Sequence, residues 1–390
     1  MGYLGGLAAK RVERAGACAV SNVEVVRALG AAGIGSAVVA PPGAAVRLSR
    51  FATEGIDPGG RPLADVLVEY GSRCPSPPAL FYDSDAALLQ ISRNRDALAP
   101  HFRFLLPAPD LLEDLVDKRG FQALSDRLGL PVPPGQRIQP ATSSPDSVRI
   151  PFPLVLKPIP FRDERWDRFG ERGKVIRVED AGELERLWPR LAEADLDLMA
   201  QEVIPGGETD VLSYHVYVDS SGEVTGEFTG RKLRTYPLQY GMSSALVTTS
   251  DPPLMAQGRE LVERLCLRGP AKLDFKRTPD GRTFLLEVNP RFTLWVHSGA
   301  LAGVNLAALA YADLTQGPRP APRSARAGVC WIHPKLDLAA ARESGVALHR
   351  WAWFAARCES NHAVARNDPG AALRRVAQAL RARARRALGR

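Results

Sequence analysis

Residues 271–292 (AKLDFKRTPDGRTFLLEVNPRF) constrain the fold more than any other stretch of the chain. Two mainly apolar runs flank a turn sequence at 279–281, and this pattern predicts a β-hairpin. Counting back from the turn places Asp274 on the first strand opposite Glu287 on the second. Asn289 lies two residues after Glu287, so it faces the same side of the strand. The hairpin therefore brings two carboxylates and an amide to one strand end.

Those three side chains predict a metal site. Two facing carboxylates repel each other unless a cation lies between them. Hard cations such as Mg²⁺ bind carboxylate and amide oxygens and keep phosphate oxygens as further ligands. A strand that ends in a polar turn is the alternative, and residues 284–292 alone do not decide between the two.

The N-terminal part of the chain has the pattern of a parallel α/β sheet. Residues 17–40 read as strand, helix and strand, and Gly33 is placed to end the helix. The glycines here follow the helix instead of preceding it, which argues against a dinucleotide-binding fingerprint. Ser21 and Asn22 follow the first strand at its carboxyl end, where open α/β sheets bind small ligands. A second strand and helix are predicted at 78–98.

A lysine closes another apolar strand. Residues 154–156 (LVL) lead directly into Lys157, and a buried lysine needs a partner for its charge. A strand end that faces solvent is the alternative.

Composition predicts a cytoplasmic protein of several domains. The chain has 390 residues, 45% hydrophobic and 24% charged, enough for two or three domains. No run of about 18 uncharged apolar residues predicts a membrane span. Residues 1–20 lack the pattern of a secretory signal, and position 6 lacks the serine or threonine of a myristoylation motif. Five cysteines without a C-x-x-C pair favour free thiols over a disulfide framework or a zinc site.

The C-terminal tail carries much of the formal charge of +8. Residues 371–390 contain seven arginines and no acid, with apolar residues at helical spacing, which predicts a basic amphipathic helix. A helix packed on the body of the protein is the simpler interpretation, and contact with an anionic membrane or another polyanion is the alternative. Nucleic-acid binding is not expected, because no aromatic–basic platform or finger spacing accompanies the arginines.

Five short motifs occur in one order along the chain. They are DKRGF (117–121), PLVLKP (153–158), QEVIPGGE (201–208), KLDF (272–275) and EVNPR (287–291). With this order and spacing, residues 17–318 resemble the ATP-grasp superfamily. Within it the chain is most similar to carboxylate–amine ligases, including the carbamoyl-phosphate-synthase-like and D-aspartate-ligase-like groups.

The resemblance implies an α/β and α+β fold in which two subdomains grip ATP. The expected units are an N-terminal Rossmann-like domain (1–106), a first ATP-grasp subdomain (107–200) and a second that carries the metal site (201–318). A Pro/Arg-rich linker at 317–328 then leads to a C-terminal extension (319–390) with the basic helix.

The resemblance also implies a nucleotide site built from two lysines and a hinge. The lysines neutralise phosphate oxygens as point charges. The hinge presents backbone groups to the adenine, an apolar side chain packs beside it, and a glutamate accepts the ribose hydroxyls. The residues at these positions are, in that order, Lys118 and Lys157, Glu202 and Val203, Ile204, and Glu208.

A centre for phosphoryl and acyl transfer is implied as well. Two Mg²⁺ (or Mn²⁺) ions bridge the triphosphate to the protein, and cationic side chains stabilise the transferred phosphoryl group and the acyl phosphate. The implied metal ligands are Asp274, Glu287 and Asn289. The implied cations are Lys272, Arg291 and, as a further candidate, Arg231, whose neighbour Lys232 is expected to be solvated.

Substrate choice is less constrained. ATP-grasp enzymes usually cover the phosphates with a small Gly/Ser-rich loop, whereas residues 159–174 are bulky and charged, so their arginines are candidates for contact with an acidic substrate. The stretch HSGALAGVNL (297–306) is expected to start a helix, and the N–H groups at that start, with Ser298, are candidates for binding a substrate carboxylate. The loops after Ser21 and Asp83 are further candidates for substrate recognition, and Asp83 also begins a predicted helix N-cap. Four side chains are candidates as well: Arg231, Arg234, Tyr236 and His297.

The implied activity is that of an ADP-forming ligase. A small-molecule carboxylate attacks the γ-phosphate of ATP, and an amine displaces phosphate from the resulting acyl phosphate. Positioning and charge neutralisation suffice, without a covalent nucleophile. An ATP-grasp kinase that stops after phosphoryl transfer and a non-catalytic nucleotide-binding regulator are the alternatives. A homodimer is a further expectation, because dimers are common in the resembled family.

Overall fold

The computed structural model describes residues 15–159, 164–167 and 175–363, together with Ala365 and Asp368. The predicted basic helix of the tail and most of the charged 159–174 loop lie outside the described residues. None of the helices within the described ranges is long and apolar enough to cross a bilayer.

A parallel sheet forms the N-terminal unit, as the strand–helix–strand pattern predicts. Its elements are β1 (Ala15–Val20), α1 (Val23–Ala31), β2 (Gly35–Val39), β3 (Ala52–Ile56), α2 (Leu63–Ser72), β4 (Ala79–Tyr82), α3 (Asp85–Arg93) and α4 (Arg95–Leu98). The strand order is β3-β2-β1-β4. Asn22 caps α1 by accepting the Glu24 N–H at 2.8 Å, and Gly33, at φ 78°, follows the helix end. Ser84 caps α3 by accepting the Ala87 N–H at 3.2 Å, which confirms the predicted N-cap.

A smaller antiparallel sheet with helices follows. Its elements are α5 (Pro109–Val116), α6 (Lys118–Leu128), β5 (Gly135–Ile138), β6 (Leu154–Pro158), α7 (Glu164–Asp167), β7 (Ile176–Val178), α8 (Ala181–Glu193) and β8 (Leu198–Glu202). The strand order is β5-β8-β6-β7. Leu154, Leu156, Trp188 and Leu198 are buried in the core between this sheet and α8. The carboxyl end of β6, with Lys157, is thereby fixed by a packed core.

The central sheet has seven strands. Its elements are β9 (Val211–Val218), β10 (Val224–Tyr236), β11 (Met242–Thr249), α9 (Pro252–Arg264), β12 (Gly269–Arg277), β13 (Thr283–Asn289), α10 (Val296–Ala302), α11 (Leu306–Thr315), β14 (Cys330–Ile332), α12 (Pro334–Glu343), α13 (Leu348–Arg357) and β15 (Ser360–Asn361). Its order is β13-β12-β9-β10-β11-β14-β15. Residues 317–326, within the predicted linker of 317–328, have no helix or strand. The segment after it completes the sheet, because β14 pairs with β11 and β15 with β14.

The two faces of the central sheet have different environments. Tyr214, Leu273 and Phe275 lie on one face, in a core that also contains Leu261 of α9. On the other face, Phe228 packs in a core with residues of α1, α10 and α11. Side chains alternate along each strand, so the pairing register decides which residues lie on this second face. Asp274 and Glu287 lie on it.

Candidate active site

The hairpin pairs the two predicted carboxylates. Asp274 is the register partner of Glu287, and Lys272 is the partner of Asn289. The register shifts after Asp274, so that Phe275 pairs with Leu285. The predicted arrangement of the two carboxylates and the amide on one face is therefore confirmed, and the bulge lies beside them, where bulges commonly re-aim side chains.

A lysine joins the two carboxylates. Lys272 Nζ lies 2.6 Å from Asp274 Oδ2 and 3.6 Å from Glu287 Oε1. Ser213, on the neighbouring strand β9, donates a hydrogen bond to the other oxygen of Asp274. Asp274 is buried, whereas the Glu287 side chain is 56% exposed and so is open to a ligand. Burial opposes the charge of Lys272, but Asp274 and Glu287 outweigh that effect and raise its pKa.

Arg291 connects this site to the N-terminal unit. Its Nε and Nη2 donate to the two carboxylate oxygens of Asp85 at 2.5 and 3.1 Å, and its Nη1 donates to the Asp83 carbonyl at 3.2 Å. Nη2 also donates to Asn289 Oδ1 at 3.1 Å, and Asn289 Nδ2 donates to Glu287 Oε1 at 3.1 Å. One guanidinium thus bridges the turn before α3 and the amide of the predicted metal site.

The two predicted nucleotide lysines meet at the end of β6. Lys118 begins α6, where Asp117 accepts backbone N–H groups as the N-cap, and its Nζ donates to the carbonyls of Pro158 and Ile159. Lys157 donates to Gln201 Oε1 at 2.6 Å. Burial, with a smaller contribution from Lys118, lowers the pKa of Lys157 to about 8, although the charge of Glu287 acts to raise it. Lys157 is thus within electrostatic range of both the second lysine and the hairpin.

The predicted hinge is a continuation of β8. The Glu202 N–H donates to the Pro134 carbonyl at 3.0 Å, and the Val203 N–H donates to the Pro153 carbonyl at 3.1 Å. Because the fold uses both N–H groups, a base read by these two residues would meet their carbonyl oxygens. Ile204 is buried beside them, and half-buried Glu208 accepts the Tyr240 N–H at 3.2 Å.

Arg231 is separated from the other predicted site residues. It pairs with Leu212 of β9, which lies in the core on the face opposite to Asp274. Gly230 pairs with Ser213, the partner of Asp274, so the even-numbered residues of this part of β10 share the face of Asp274. Lys232 follows on that face. The sequence alone does not show that Lys232, and not Arg231, shares the face of Asp274. The face on which a strand residue lies is known only once the strand's pairing is known.

Lys276 was missed by the sequence interpretation. It lies two residues after Asp274, on the same face and buried, and its Nζ donates to the carbonyls of Gly206 (2.8 Å) and Gly207. Burial lowers its pKa, and Lys232 adds to the effect, while Glu208 acts to raise it. Lys276 therefore holds the turn that follows the hinge. Alternation in KLDFK could have identified it, because Lys272, Asp274 and Lys276 occupy every second position.

The donor set fits a hard divalent cation. Asp274 and Glu287 supply carboxylate oxygens and Asn289 an amide oxygen, the ligand types of Mg²⁺. No group of three or more His, Cys, Asp or Glu side chains converges as a metal site in the described part of the chain. A cation at the hairpin would compete with Lys272 for the two carboxylates, since the ammonium now neutralises them.

The chain resembles proteins of known activity in sequence and in fold. It is 26% identical over 228 residues to a D-aspartate ligase of Enterococcus faecium strain Aus0004, an alignment that covers 56% of this chain and 54% of the relative. The match thus spans about half the length of that relative. No family model matches the sequence.

Two solved structures illustrate the likeness in fold. N5-carboxyaminoimidazole synthetase of Staphylococcus aureus superimposes with a TM-score of 0.63 at 12% identity, over 84% of both chains. The biotin carboxylase domain of Hydrogenobacter thermophilus 2-oxoglutarate carboxylase, solved with MgADP, ADP and bicarbonate, has a TM-score of 0.60 at 16% identity, over 80% of this chain and 72% of that one. The mixed α/β and α+β architecture is that of the ATP-grasp fold. The chain is thus similar to these structures in fold and, over part of its length, to a D-aspartate ligase in sequence.

Proposed function

We propose that the protein is an ATP-dependent carboxylate–amine ligase that releases ADP and phosphate. The observation that carries the proposal is the pairing of Asp274 with Glu287 around Lys272, within electrostatic range of Lys157. In this proposal the carboxylates hold a metal and the lysines bind phosphate oxygens. The similarity to a D-aspartate ligase supports the same reaction class.

The nucleotide contacts follow from this arrangement. Lys118 and Lys157 bind phosphate oxygens, the carbonyls of 202–203 meet the adenine, and Ile204 packs beside it. Glu208 accepts the ribose hydroxyls. Lys232 joins the phosphate-binding group in place of Arg231, because its register puts it on the face of Asp274.

Asp274, Glu287 and Asn289 would hold Mg²⁺, in our proposal two ions for which Mn²⁺ can substitute. The metal supplies charge neutralisation for the triphosphate and the transferred phosphoryl group. The chain's own residues position the reactants. A substrate carboxylate oxygen forms a bond to the γ-phosphorus, the bond to the β-phosphate oxygen breaks, and ADP leaves. Lys272 and Arg291 would stabilise the acyl phosphate.

The second half-reaction forms the amide. The amine nitrogen attacks the acyl carbon, the carbon–oxygen bond to phosphate breaks, and phosphate leaves with a proton from the nitrogen. D-Aspartate is the first carboxylate to test, given the relative's name. We further propose that the enzyme acts in the cytoplasm on small molecules, and that a homodimer is its assembly. Neither membrane contact through the tail nor nucleic-acid binding is needed for this chemistry.

The test is an ADP-release screen over a matrix of carboxylates and amines with MgATP, with mass spectrometry of the products. A ligase releases ADP in the presence of both substrates and yields their amide. A kinase yields a stable phosphorylated product without the amine. Binding of MgATP with no ADP release for any pair would support a non-catalytic regulator and contradict the proposal.

A further inference from the structure

We propose that Asp83 is the general base that takes a proton from the amine substrate; this inference rests on the proposed ligase function. Asp83 directly follows β4, and its carboxylate accepts the Asn22 N–H, two residues past the end of β1, at 2.7 Å. Strands β1 and β4 are neighbours that pair in parallel, with Val20 opposite Tyr82. Asp83 therefore stands at the carboxyl edge of the N-terminal sheet, where open α/β sheets bind ligands.

Asp83 is next to the group that faces the acyl phosphate. Its carbonyl accepts Arg291 Nη1 at 3.2 Å, and the same guanidinium donates to Asn289 of the proposed metal site at 3.1 Å. An amine held by the Asp83 carboxylate would thus lie one side chain away from the carbon that it attacks.

The neighbouring acidic side chains, Asp85 and Glu24, are bound to other groups. Asp85 is bound by Arg291 through both oxygens. Glu24, on α1, is fully buried and accepts Trp331 Nε1 at 3.0 Å, with His297 and His362 at 3.4 and 3.2 Å. Half-buried Asp83 accepts hydrogen bonds from the N–H groups of Asn22 and of Asp83 itself, and a carboxylate has further lone pairs that can accept from an ammonium group.

The environment of Asp83 also suits a base that works near neutral pH. Burial raises its pKa to about 6, and the charge of Glu24 adds to the rise, against the Asn22 N–H and the charge of Arg291. Its carboxylate is ionised at pH 7 and is a better proton acceptor than an exposed aspartate. A substrate of the form R–NH₃⁺ gives one proton to Asp83, R–NH₂ attacks the acyl carbon, and the departing phosphate carries away the second proton.

The test compares two nucleophiles that differ in charge. Hydroxylamine is uncharged at neutral pH and traps an acyl phosphate as a hydroxamate without needing a base. It is used with the carboxylate that gives the most ADP release in the screen above, beside the best amine of that screen. Asp83→Asn keeps an oxygen for the Asn22 N–H but removes the base. We expect amide formation to fall about 10²- to 10⁴-fold and hydroxamate formation to be unchanged.

Asp65→Asn, an exposed position on α2, is the matched control and should leave both reactions unchanged. Equal losses of the two products in Asp83→Asn would show that Asp83 only supports the turn. If the wild type gives no hydroxamate with any carboxylate, the proposed function itself is wrong and the role of Asp83 falls with it.

Discussion

Lys157 on β6 and Lys272 on β12 are both within electrostatic range of Glu287 but have opposite electrostatic environments. Lys157 donates to the uncharged Gln201 amide, and burial lowers its pKa to about 8. Lys272 lies between Asp274 and Glu287, which raise its pKa despite burial. An anion that binds stabilises the charge of a lysine most when that lysine has no carboxylate partner. A lysine paired with carboxylates is stabilised by the anion only after those carboxylates have bound another cation.

This difference suggests an order of events. Triphosphate oxygens would satisfy Lys157 directly. A cation that binds Asp274 and Glu287 would release the Lys272 ammonium, which could then stabilise the acyl phosphate. The metal and the substrate would thus act on the same side chain, one after the other. The variants below test each half of the comparison.

The largest effect is expected at the carboxylate side. Glu287→Gln removes one of the two facing charges, so we expect turnover to fall about 10²- to 10³-fold, the range for one preorganised electrostatic group. The fold should persist, because the side chain is more than half exposed. ADP release and a thermal melt measure the two outcomes. Glu263→Gln, an exposed glutamate on α9, is the control, and equal turnover in both variants would remove Glu287 from the site.

At the lysine side, Lys157→Ala should weaken MgATP binding about 10- to 100-fold, since hydrogen bonds to charged groups contribute about 1.5–3 kcal/mol. Calorimetric titration with MgATP measures the loss. Lys335→Ala, an exposed lysine on α12, should bind as the wild type does. An unchanged affinity in Lys157→Ala would mean that the end of β6 does not meet phosphate.

The lowered pKa of Lys157 predicts a pH dependence. Above pH 8 the free enzyme increasingly holds a neutral amine, so binding of fully ionised ATP must be coupled to proton uptake. Affinity should be flat just below pH 8 and fall about tenfold per pH unit above it, as one linked proton requires. In Lys157→Arg the guanidinium stays charged and the fall should vanish. The same slope in both proteins would assign the titration to another group.

The smallest effect on MgATP binding is expected for two neighbouring residues of β10, Lys232 and Arg231. Lys232→Ala should weaken MgATP binding about two- to fivefold, the size of a partly exposed charge interaction. Arg231→Ala should leave it unchanged, because the register directs that side chain to the opposite face. The same titration measures both variants. A larger loss for Arg231→Ala would contradict the face assignment and restore the sequence-based choice.

Local sequence patterns predicted those features of the fold that depend on interactions between residues close in sequence. The parallel start of the chain, the cap at Ser84 and the Asp274–Glu287 pairing all follow from residues close in sequence. The continuation of the central sheet into β14 and β15 was not predicted. Cys330–Ile332 and Ser360–Asn361 are too short to give an alternation signal, and only tertiary pairing defines them.

In the candidate site too, the features set by local sequence were predicted and those set by long-range contacts were not. The motifs identified Asp274, Glu287 and Asn289, whose arrangement depends on one hairpin. They could not reveal that Arg291 binds Asp85, which lies 206 residues away, or that Lys232 and not Arg231 shares their face. Long-range pairing and strand register are properties of the assembled sheet, so no single segment encodes them.

The buried charge of Arg27 on α1 has a consequence for the order in which the chain folds. Arg27 is buried against Asp368, at 3.2 Å and 341 residues away, and against the carbonyls of Asn361 and His362. Leaving such a charge buried without its partner costs about 3–5 kcal/mol. Within α1, Glu24 lies 3.7 Å from Arg27, but the shorter contact with Asp368 forms only after residue 368 has been synthesised. We expect the N-terminal unit to reach its full native stability only when Asp368 docks against α1.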